Sequence, residues 1–211
     1  MLEIIQDFIP LNRPNRPSIY NPHYYITIHD TGNTDRGADA LAHSAYLKGT
    51  DEKVSWHFTV DDTVIVNHLP INETAYHAGD GKNGTGNTKS IGIEICVNAD
   101  GNIEKATDNA ARLTAKLLVE NKLTIEKVVQ HNRWSGKDCP NNLRRCTPYS
   151  WNMFIAKVED YIQQYSITNA IEAIDYLSAQ SVITNGDYWK SALSHIKNLD
   201  SLFVKFAQRL L

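Results

Sequence analysis

Residues 131–140 concentrate groups that can do chemistry. They read His-Asn-Arg-Trp-Ser-Gly-Lys-Asp-Cys-Pro and carry an imidazole, an ammonium, a carboxylate and a thiol. Gly136 and Pro140 punctuate the run, which predicts a loop of fixed shape rather than a helix face. Imidazole and thiolate are zinc ligands, and a catalytic zinc site takes three protein ligands and leaves one position open. His131 and Cys139 can supply two, so the third ligand should come from another part of the chain.

A second candidate ligand stands at the end of a predicted strand. Residues 24–28, Tyr-Tyr-Ile-Thr-Ile, are aromatic and β-branched and predict a central strand. The strand runs into His29 and a polar turn over residues 30–33. This is a favourable place for a metal ligand, but a hydrogen-bonded structural histidine fits the pattern equally well.

The strand predicted over residues 91–97 contains an anomaly. Glu94 stands between two isoleucines, although glutamate is depleted in strands and is seldom buried unpaired. Either this is an edge strand with the carboxylate in solvent, or the carboxylate faces a cleft. In the second case Glu94 is a candidate general base.

The remaining patterns up to residue 165 alternate strands and helices. We predict a helix over residues 37–49, a hairpin over 55–68 with structural histidines, a helix over 108–121 capped by Thr107, a strand over 125–130 that delivers His131, and a helix after Pro148 with one apolar face. A glycine-rich segment over residues 73–90 indicates a binding loop or a flexible connection. The expected fold class is α/β, a mixed central β-sheet flanked by helices.

Residues 166–211 differ in composition, with no proline and one glycine. Ile-Thr-Asn opens two short helical patterns, for which Thr168 and Thr184 are the predicted caps, and a third helix is predicted over residues 200–209. Three short helices in about 45 residues make a small bundle near the lower limit of independent stability. The segment fits a packing appendage, a dimerisation hairpin or a targeting module.

Bulk properties exclude several classes of protein. A net charge of −3 argues against a general affinity for nucleic acid. No run approaches the roughly 18 apolar residues of a membrane span, and the first ten residues do not resemble a signal peptide, so we expect synthesis in the cytoplasm. Three cysteines argue against a disulfide framework, although Cys139 and Cys146 could pair across a short loop.

The residues alone therefore suggest one composite site. His29, His131 and Cys139 can hold zinc, Glu94 can take a proton from a water molecule, and Lys137 can stabilise an oxyanion. Because a sequence contains no distances, this geometry is a hypothesis from strand topology. A zinc hydrolase is the interpretation that it favours.

Five motifs, in order along the chain, carry a family resemblance. They are Tyr25-Ile-Thr-Ile-His29-Asp-Thr-Gly-Asn33, Trp56-His-Phe58, Tyr76-His-Ala-Gly79, Ser90-Ile-Gly-Ile-Glu94, and His131-Asn-Arg-Trp134 with Lys137-Asp-Cys-Pro140. Over about residues 23–160 the chain resembles the type-2 N-acetylmuramoyl-L-alanine amidases. The resemblance implies a mixed β-sheet flanked by helices, a catalytic zinc ion, and cleavage of the amide that joins N-acetylmuramic acid to L-alanine in peptidoglycan.

The resemblance also implies the metal ligands. His29 and His131 match the two histidine ligands, and Cys139 matches the third. Many family members have aspartate at the third place, and Asp138 is adjacent here. The ligand normally lies two residues after the lysine and directly before proline, which selects Cys139 and leaves Asp138 as a loop group.

Further roles follow from the same motifs. Glu94 matches the catalytic carboxylate, and Lys137 matches the cation that helps to stabilise the transition state. His77 matches a position that lines the substrate cleft. Asn33 and Trp56 are weaker candidates for the same cleft.

The tail, residues 166–211, resembles short helical modules of some phage lysins of Gram-positive bacteria. This implies a catalytic domain over residues 1–165, a cell-wall-targeting module after it, and a phage or prophage endolysin that is made in the host cytoplasm and acts on the wall after release. The expected partner is Gram-positive peptidoglycan, without nucleic acid binding or membrane insertion, and the expected state is a monomer, with dimerisation through the C-terminal helices as an alternative. The alternative function is a non-catalytic peptidoglycan-recognition protein on the same fold, whose members typically lack the third ligand.

Overall fold

A computed structural model describes residues 3–210 of the chain. The strands in that range are Ile4–Gln6 (β1), Tyr25–Asp30 (β2), Phe58–Val60 (β3), Ile65–Asn67 (β4), Ser90–Ile95 (β5) and Val128–Gln130 (β6). The α-helices there are Ala40–Gly49 (α1), Thr85–Lys89 (α2), Ile103–Glu120 (α3), Asn132–Ser135 (α4), Asn141–Arg144 (α5), Trp151–Ser166 (α6), Ala170–Ala179 (α7), Gly186–Ala192 (α8) and Leu199–Leu210 (α9). A 3₁₀ turn, Ile125–Lys127, takes the first half of the strand predicted over 125–130.

The strands form one sheet in the order β1-β4-β3-β5-β2-β6. Neighbouring strands run parallel except for the β3–β4 hairpin, which is antiparallel. Helices flank this mixed sheet, so the predicted fold class is confirmed. No helix between residues 3 and 210 has the length and apolar character needed to cross a membrane.

The two faces of the sheet differ because successive side chains of a strand point to opposite sides. On one face Ile26 and Ile28 of β2, together with Ile91 and Ile93 of β5, are fully buried in the core that α3 and α6 cover. The intervening residues are polar or small and lie on the other face. They are Thr27 and His29 of β2, and Ser90, Gly92 and Glu94 of β5. The groups that can do chemistry thus share the face opposite the main core.

Three predicted helix caps were wrong by one residue or more. Helix α3 begins earlier than expected, because the Asn102 side chain accepts a hydrogen bond from the N–H of Lys105 at 3.0 Å. Thr107 lies inside that helix and donates to the carbonyl of Ile103 at 2.7 Å. In the tail, asparagines cap α7 and α8 instead of the threonines that precede them, namely Asn169 for Thr168 and Asn185 for Thr184.

The C-terminal helices enclose a small hydrophobic cluster of their own, which begins at Ile167 and includes Ile174, Leu177 and Phe203. The carbonyl of Ile167 accepts a hydrogen bond from the side chain of Gln208 at 3.1 Å, which ties α9 back to the end of α6. The division into a catalytic domain and a targeting module stays a prediction.

Candidate metal centre and active site

The candidate site lies where the parallel strands β2, β5 and β6 end. His29 on β2 and Glu94 on β5 are directly paired in the register of the two strands. His131 follows the last residue of β6, and its backbone N–H donates to the carbonyl of Ile28 at 3.2 Å. Carboxyl ends of adjacent parallel strands are common places for ligand sites in α/β folds.

The segment after His131 folds back on itself. Asn132–Ser135 makes one helical turn, where the sequence predicted a loop, and Gly136 ends it with a φ of 76°. The Asn132 N–H donates to the carbonyl of Cys139 at 3.0 Å, and the Asn132 side-chain amide donates to the carbonyls of Gly136 and Lys137. These bonds return Cys139 to the side of His131.

Three potential metal ligands meet there. Nδ1 of His29 lies 3.0 Å from Nδ1 of His131 and 3.9 Å from Sγ of Cys139. All three ligand atoms lie within 4.8 Å of one another, and all three residues are buried. In a tetrahedral zinc site the corresponding separations are about 3.3 Å between two nitrogens and about 3.6 Å between nitrogen and sulfur. The donor set therefore fits a zinc ion.

The hydrogen-bond partners assign the histidine tautomers. Nε2 of His131 lies 2.9 Å from the carbonyl oxygen of Ala78, which only accepts, so this nitrogen carries the proton. Nε2 of His29 lies 2.9 Å from Nδ1 of His77 and donates to it, because the hydroxyl of Ser90 accepts from Nε2 of His77 and so leaves Nδ1 of His77 without a proton. The two Nδ1 atoms then face each other at 3.0 Å as lone pairs without a shared proton. A cation between them removes that repulsion, which is a second reason why the site fits a metal.

Burial shifts the pKa values of all three candidate ligands. Desolvation lowers the pKa of His29 well below its usual value and lowers the pKa of His131 as well, so both imidazoles are neutral near pH 7. Burial, followed by the charge of Glu94, raises the pKa of the Cys139 thiol to about 12. A bound cation reverses this effect because it stabilises the thiolate.

Glu94 faces the cluster from the neighbouring strand. Its Oε1 lies 3.8 Å from Nδ1 of His29, and the other carboxylate oxygen has no hydrogen-bond partner among the described residues. Strand β5 lies between β3 and β2, so the edge-strand interpretation of Glu94 was wrong. Burial and then the charge of Asp30 raise the pKa of Glu94 well above its usual value, and Lys137 opposes the shift. A carboxyl group with a raised pKa holds its proton more firmly than an exposed glutamate does, as a proton donor in catalysis must.

A cavity of about 410 Å³ opens beside the cluster. Four residues predicted for the site line it, namely Asn33, Trp56, Glu94 and Lys137. Helix α1 supplies part of the wall through His43 and Tyr46, which the sequence did not single out for the site. Their signal was weak, because an alanine-rich helix carrying one buried histidine is ordinary packing.

Asp138 and His77 belong neither to the ligand cluster nor to the lining of this cavity. Asp138 is exposed and bonds to Arg144 and Asn141, at 2.6 Å and 2.8 Å, so it does not join the ligand cluster. His77 is buried behind His29, with its ring directed at that ligand. A direct contact between His77 and substrate stays a prediction.

The cysteines agree with this arrangement. Cys96, Cys139 and Cys146 are all free, so the disulfide considered between Cys139 and Cys146 does not form in the structure. Cys139 is buried among the candidate ligands, whereas Cys146 is exposed.

Known proteins are similar to this chain in sequence and in fold. The family model described as "N-acetylmuramoyl-L-alanine amidase" matches residues 19–142. The amidase CwlH of Bacillus subtilis is 54% identical over 74% of this chain, and the amidase XlyA of the same organism is 53% identical over 75%. This chain spans 60% of the length of CwlH and 52% of the length of XlyA.

Solved structures agree with the sequence matches. The catalytic domain of XlyA superposes with a TM-score of 0.71 at 53% identity, over 74% of this chain and 99% of that domain. The structure of PlyL superposes with a TM-score of 0.67 at 32% identity, over 74% of this chain and 97% of PlyL. The family model covers more than half of the sequence, and the chain therefore belongs to the N-acetylmuramoyl-L-alanine amidase family.

Proposed function

We propose that this protein is a zinc-dependent amidase that hydrolyses the bond between N-acetylmuramic acid and L-alanine in peptidoglycan. The observation that carries the proposal is the convergence of His29 Nδ1, His131 Nδ1 and Cys139 Sγ beside a buried carboxyl group. The named relatives are N-acetylmuramoyl-L-alanine amidases, which supports the choice of bond.

The zinc ligands are His29, His131 and Cys139. A zinc ion held there supplies Lewis-acid chemistry, that is, polarisation of an amide carbonyl and activation of a water molecule. Both imidazoles are neutral, and each donates a hydrogen bond from Nε2. Each Nδ1 therefore keeps its lone pair for the metal. Three protein ligands leave one position open, as catalytic rather than structural zinc sites do.

Glu94 is the proton carrier. Its Oε1 lies 3.8 Å from a ligand nitrogen, so a water molecule at the site is within its reach. Glu94 removes a proton from the attacking water and delivers it to the departing amine nitrogen of L-alanine. The raised pKa suits the second step, because a carboxyl group that binds its proton firmly can carry it to the amine.

Lys137 lines the same cavity as Glu94 and is exposed at its mouth. Its ammonium group can approach the carbonyl oxygen of the scissile amide, where negative charge develops as water attacks. Asn33 and Trp56 also line the cavity and are proposed to contact the muropeptide.

The C-terminal helices are proposed to attach the enzyme to a Gram-positive wall. They hold a hydrophobic cluster of their own and expose large apolar side chains that a packing role leaves unexplained, among them Tyr188 at 57% and Leu202 at 62%. Bacillus relatives support the choice of wall.

Product analysis tests the proposal. Purified Bacillus walls are digested with the full chain, and the soluble fragments are separated and weighed by mass spectrometry. An amidase releases stem peptides that begin with a free L-alanine amine and leaves muramic acid with a free lactyl carboxyl group. Glu94→Gln protein serves as the blank. Reducing sugar ends, cleaved cross-links or no soluble product from the wild-type protein would contradict the proposed amidase activity.

A further inference from the structure

We propose that His77 is a positioning residue of the metal centre, which holds His29 in the tautomer that leaves Nδ1 free for zinc. The inference rests on the zinc site of the proposed function. It assigns His77 a role through another residue, whereas the family resemblance implied contact with substrate.

The contact itself is short and buried. Nδ1 of His77 lies 2.9 Å from Nε2 of His29, and both rings are nearly inaccessible to solvent, at 7% and 1% exposure. The rings meet edge to face, with 5.0 Å between their centroids. One of the two nitrogens must be the donor, and the pair alone does not say which.

The hydroxyl group of Ser90 decides the direction. Ser90 Oγ lies 2.7 Å from the carbonyl oxygen of Gly86, which only accepts, so the single hydroxyl proton is used there. Ser90 Oγ must therefore accept from its other two neighbours, Thr27 Oγ1 at 2.7 Å and His77 Nε2 at 3.5 Å. Thr27 in turn accepts from the indole N–H of Trp134 at 2.9 Å.

The proton on Nε2 of His77 then fixes the direction of the hydrogen bond between His77 and His29. A neutral His77 with its proton on Nε2 has a bare Nδ1, which can only accept. The ring of His77 is buried, and its described partners His29 and Ser90 carry no negative charge, so the neutral form of the ring is favoured. His29 must donate from Nε2, and its Nδ1 keeps the lone pair that a metal needs. Partners of this kind orient metal-ligating histidines and fix their tautomers.

The surrounding residues hold His77 in place. Gly92 lies beneath the ring, where a Cβ atom would come within 2.9 Å of Cγ and Nδ1 of His77. Both backbone N–H groups of His77 and Ala78 donate to Oδ1 of Asn87 at 2.8 Å. Because the carbonyl of Ala78 accepts from His131, this one segment sets the tautomers of both histidine ligands.

Zinc affinity of the 211-residue chain, measured by competition with a chromophoric chelator, tests the role of His77. His77→Phe keeps an aromatic ring over Gly92 but cannot accept a hydrogen bond from His29, and its dissociation constant for zinc should rise about 10- to 100-fold. His77→Asn places an amide oxygen near the position of Nδ1 and should recover most of the affinity. Ser90→Ala removes the hydroxyl acceptor of His77 but keeps the Ser90 carbonyl, which also accepts from the ring, so it should weaken zinc binding less than His77→Phe does.

His57→Gln is the matched control. His57 is another buried histidine on this side of the sheet, and it bonds to Gly92 N–H and Glu73 O rather than to a ligand. This variant should bind zinc as the wild type does, even if it is less stable. Absorption spectra of the cobalt-substituted proteins should change in His77→Phe and stay unchanged in the control.

Several results would overturn the role. Wild-type zinc affinity in His77→Phe would do so, and if KM rose at the same time, His77 would contact substrate instead. Equal losses in His77→Phe and His77→Asn would exclude the hydrogen bond as the cause. If His77→Phe does not fold, wild-type zinc affinity in His77→Ala, which removes both ring nitrogens, is the overturning result. A wild-type protein that binds no zinc would contradict the proposed function itself.

Discussion

His29 and Glu94 are register partners on adjacent parallel strands, with 3.8 Å between Nδ1 and Oε1. One strand thus supplies a candidate zinc ligand and the next supplies the carboxyl group that serves it. Glu94 lies beside the ligand cluster without belonging to it, because only the ligand atoms of His29, His131 and Cys139, among the described residues, all lie within 4.8 Å of one another. Metal binding and proton transfer should therefore be separable by mutation.

Glu94→Gln should retain zinc and the fold but lose activity. The amide has the size of the carboxyl group but cannot carry the proton, and loss of such a group typically lowers turnover by about 10²- to 10⁴-fold. Turnover on purified walls and zinc content are measured on the same preparation. Turnover within a few-fold of wild type would remove Glu94 from the mechanism, whereas loss of zinc would make it part of the metal site.

Substitutions of Cys139 and Asp138 should show which of these two adjacent residues is the third zinc ligand. Cys139→Ala removes a buried donor of the cluster and should abolish tight zinc binding and activity. Asp138→Ala removes an exposed carboxylate that bonds to Arg144 and should leave zinc content unchanged. Zinc per chain after gel filtration is the measurement. The opposite pattern would mean that Asp138 is the ligand.

Removal of the tail should spare the catalytic part. The described members of the main core end at Tyr165, and the cluster that begins at Ile167 belongs to the C-terminal helices. A chain of residues 1–165 should therefore stay folded and bind zinc, with weaker attachment to walls. Circular dichroism, zinc content and sedimentation with purified walls check this. If the shortened chain aggregates, the tail is part of the core.

Acid should destabilise the protein through His57. Both ring nitrogens are used in the neutral form, since Nδ1 accepts from Gly92 N–H and Nε2 donates to Glu73 O. Burial lowers the pKa of His57 from 6.5 to about 4. Between those values the unfolded chain binds a proton that the folded chain does not. The free energy of unfolding therefore falls as the pH falls, by up to about 1.4 kcal/mol per pH unit and about 3 kcal/mol in total.

Urea unfolding of chelator-treated protein from pH 7 to pH 4.5 measures this slope. The wild-type slope should be steeper than that of His57→Gln. A substitution of the exposed His195, His195→Gln, is the control and should leave the wild-type slope unchanged. Equal slopes for wild type and His57→Gln would show that His57 is protonated in the folded protein.

The sequence predicted the donor groups better than it predicted what orients them. His29, Glu94 and His131 are recognisable because each stands at or beyond the end of an apolar strand, a local pattern. The hydrogen-bond chain that runs from Trp134 to His29 is not local in sequence. It depends on the strand register that sets Thr27 beside Ser90 and Gly92 beneath His77. The residue types in that chain do not by themselves predict that they orient a metal ligand.

Helix starts show a similar limit. Thr168 and Asn169 are both good caps, and Thr184 and Asn185 repeat the choice. The structure uses the asparagine each time, and Asn169 is reinforced by Glu172 in a capping box. Propensity alone does not separate adjacent candidates, because tertiary packing decides which residue begins the helix.

Zinc titration of the metal-free enzyme tests the central claim most directly. The full chain is stripped with a chelator, titrated with zinc, and assayed for release of peptides with free L-alanine amines. Activity should be absent without zinc and rise linearly to a plateau at one zinc ion per chain, and Cys139→Ala protein should stay inactive throughout. Full activity of the metal-free protein, or zinc-independent activity of Cys139→Ala, would contradict the account.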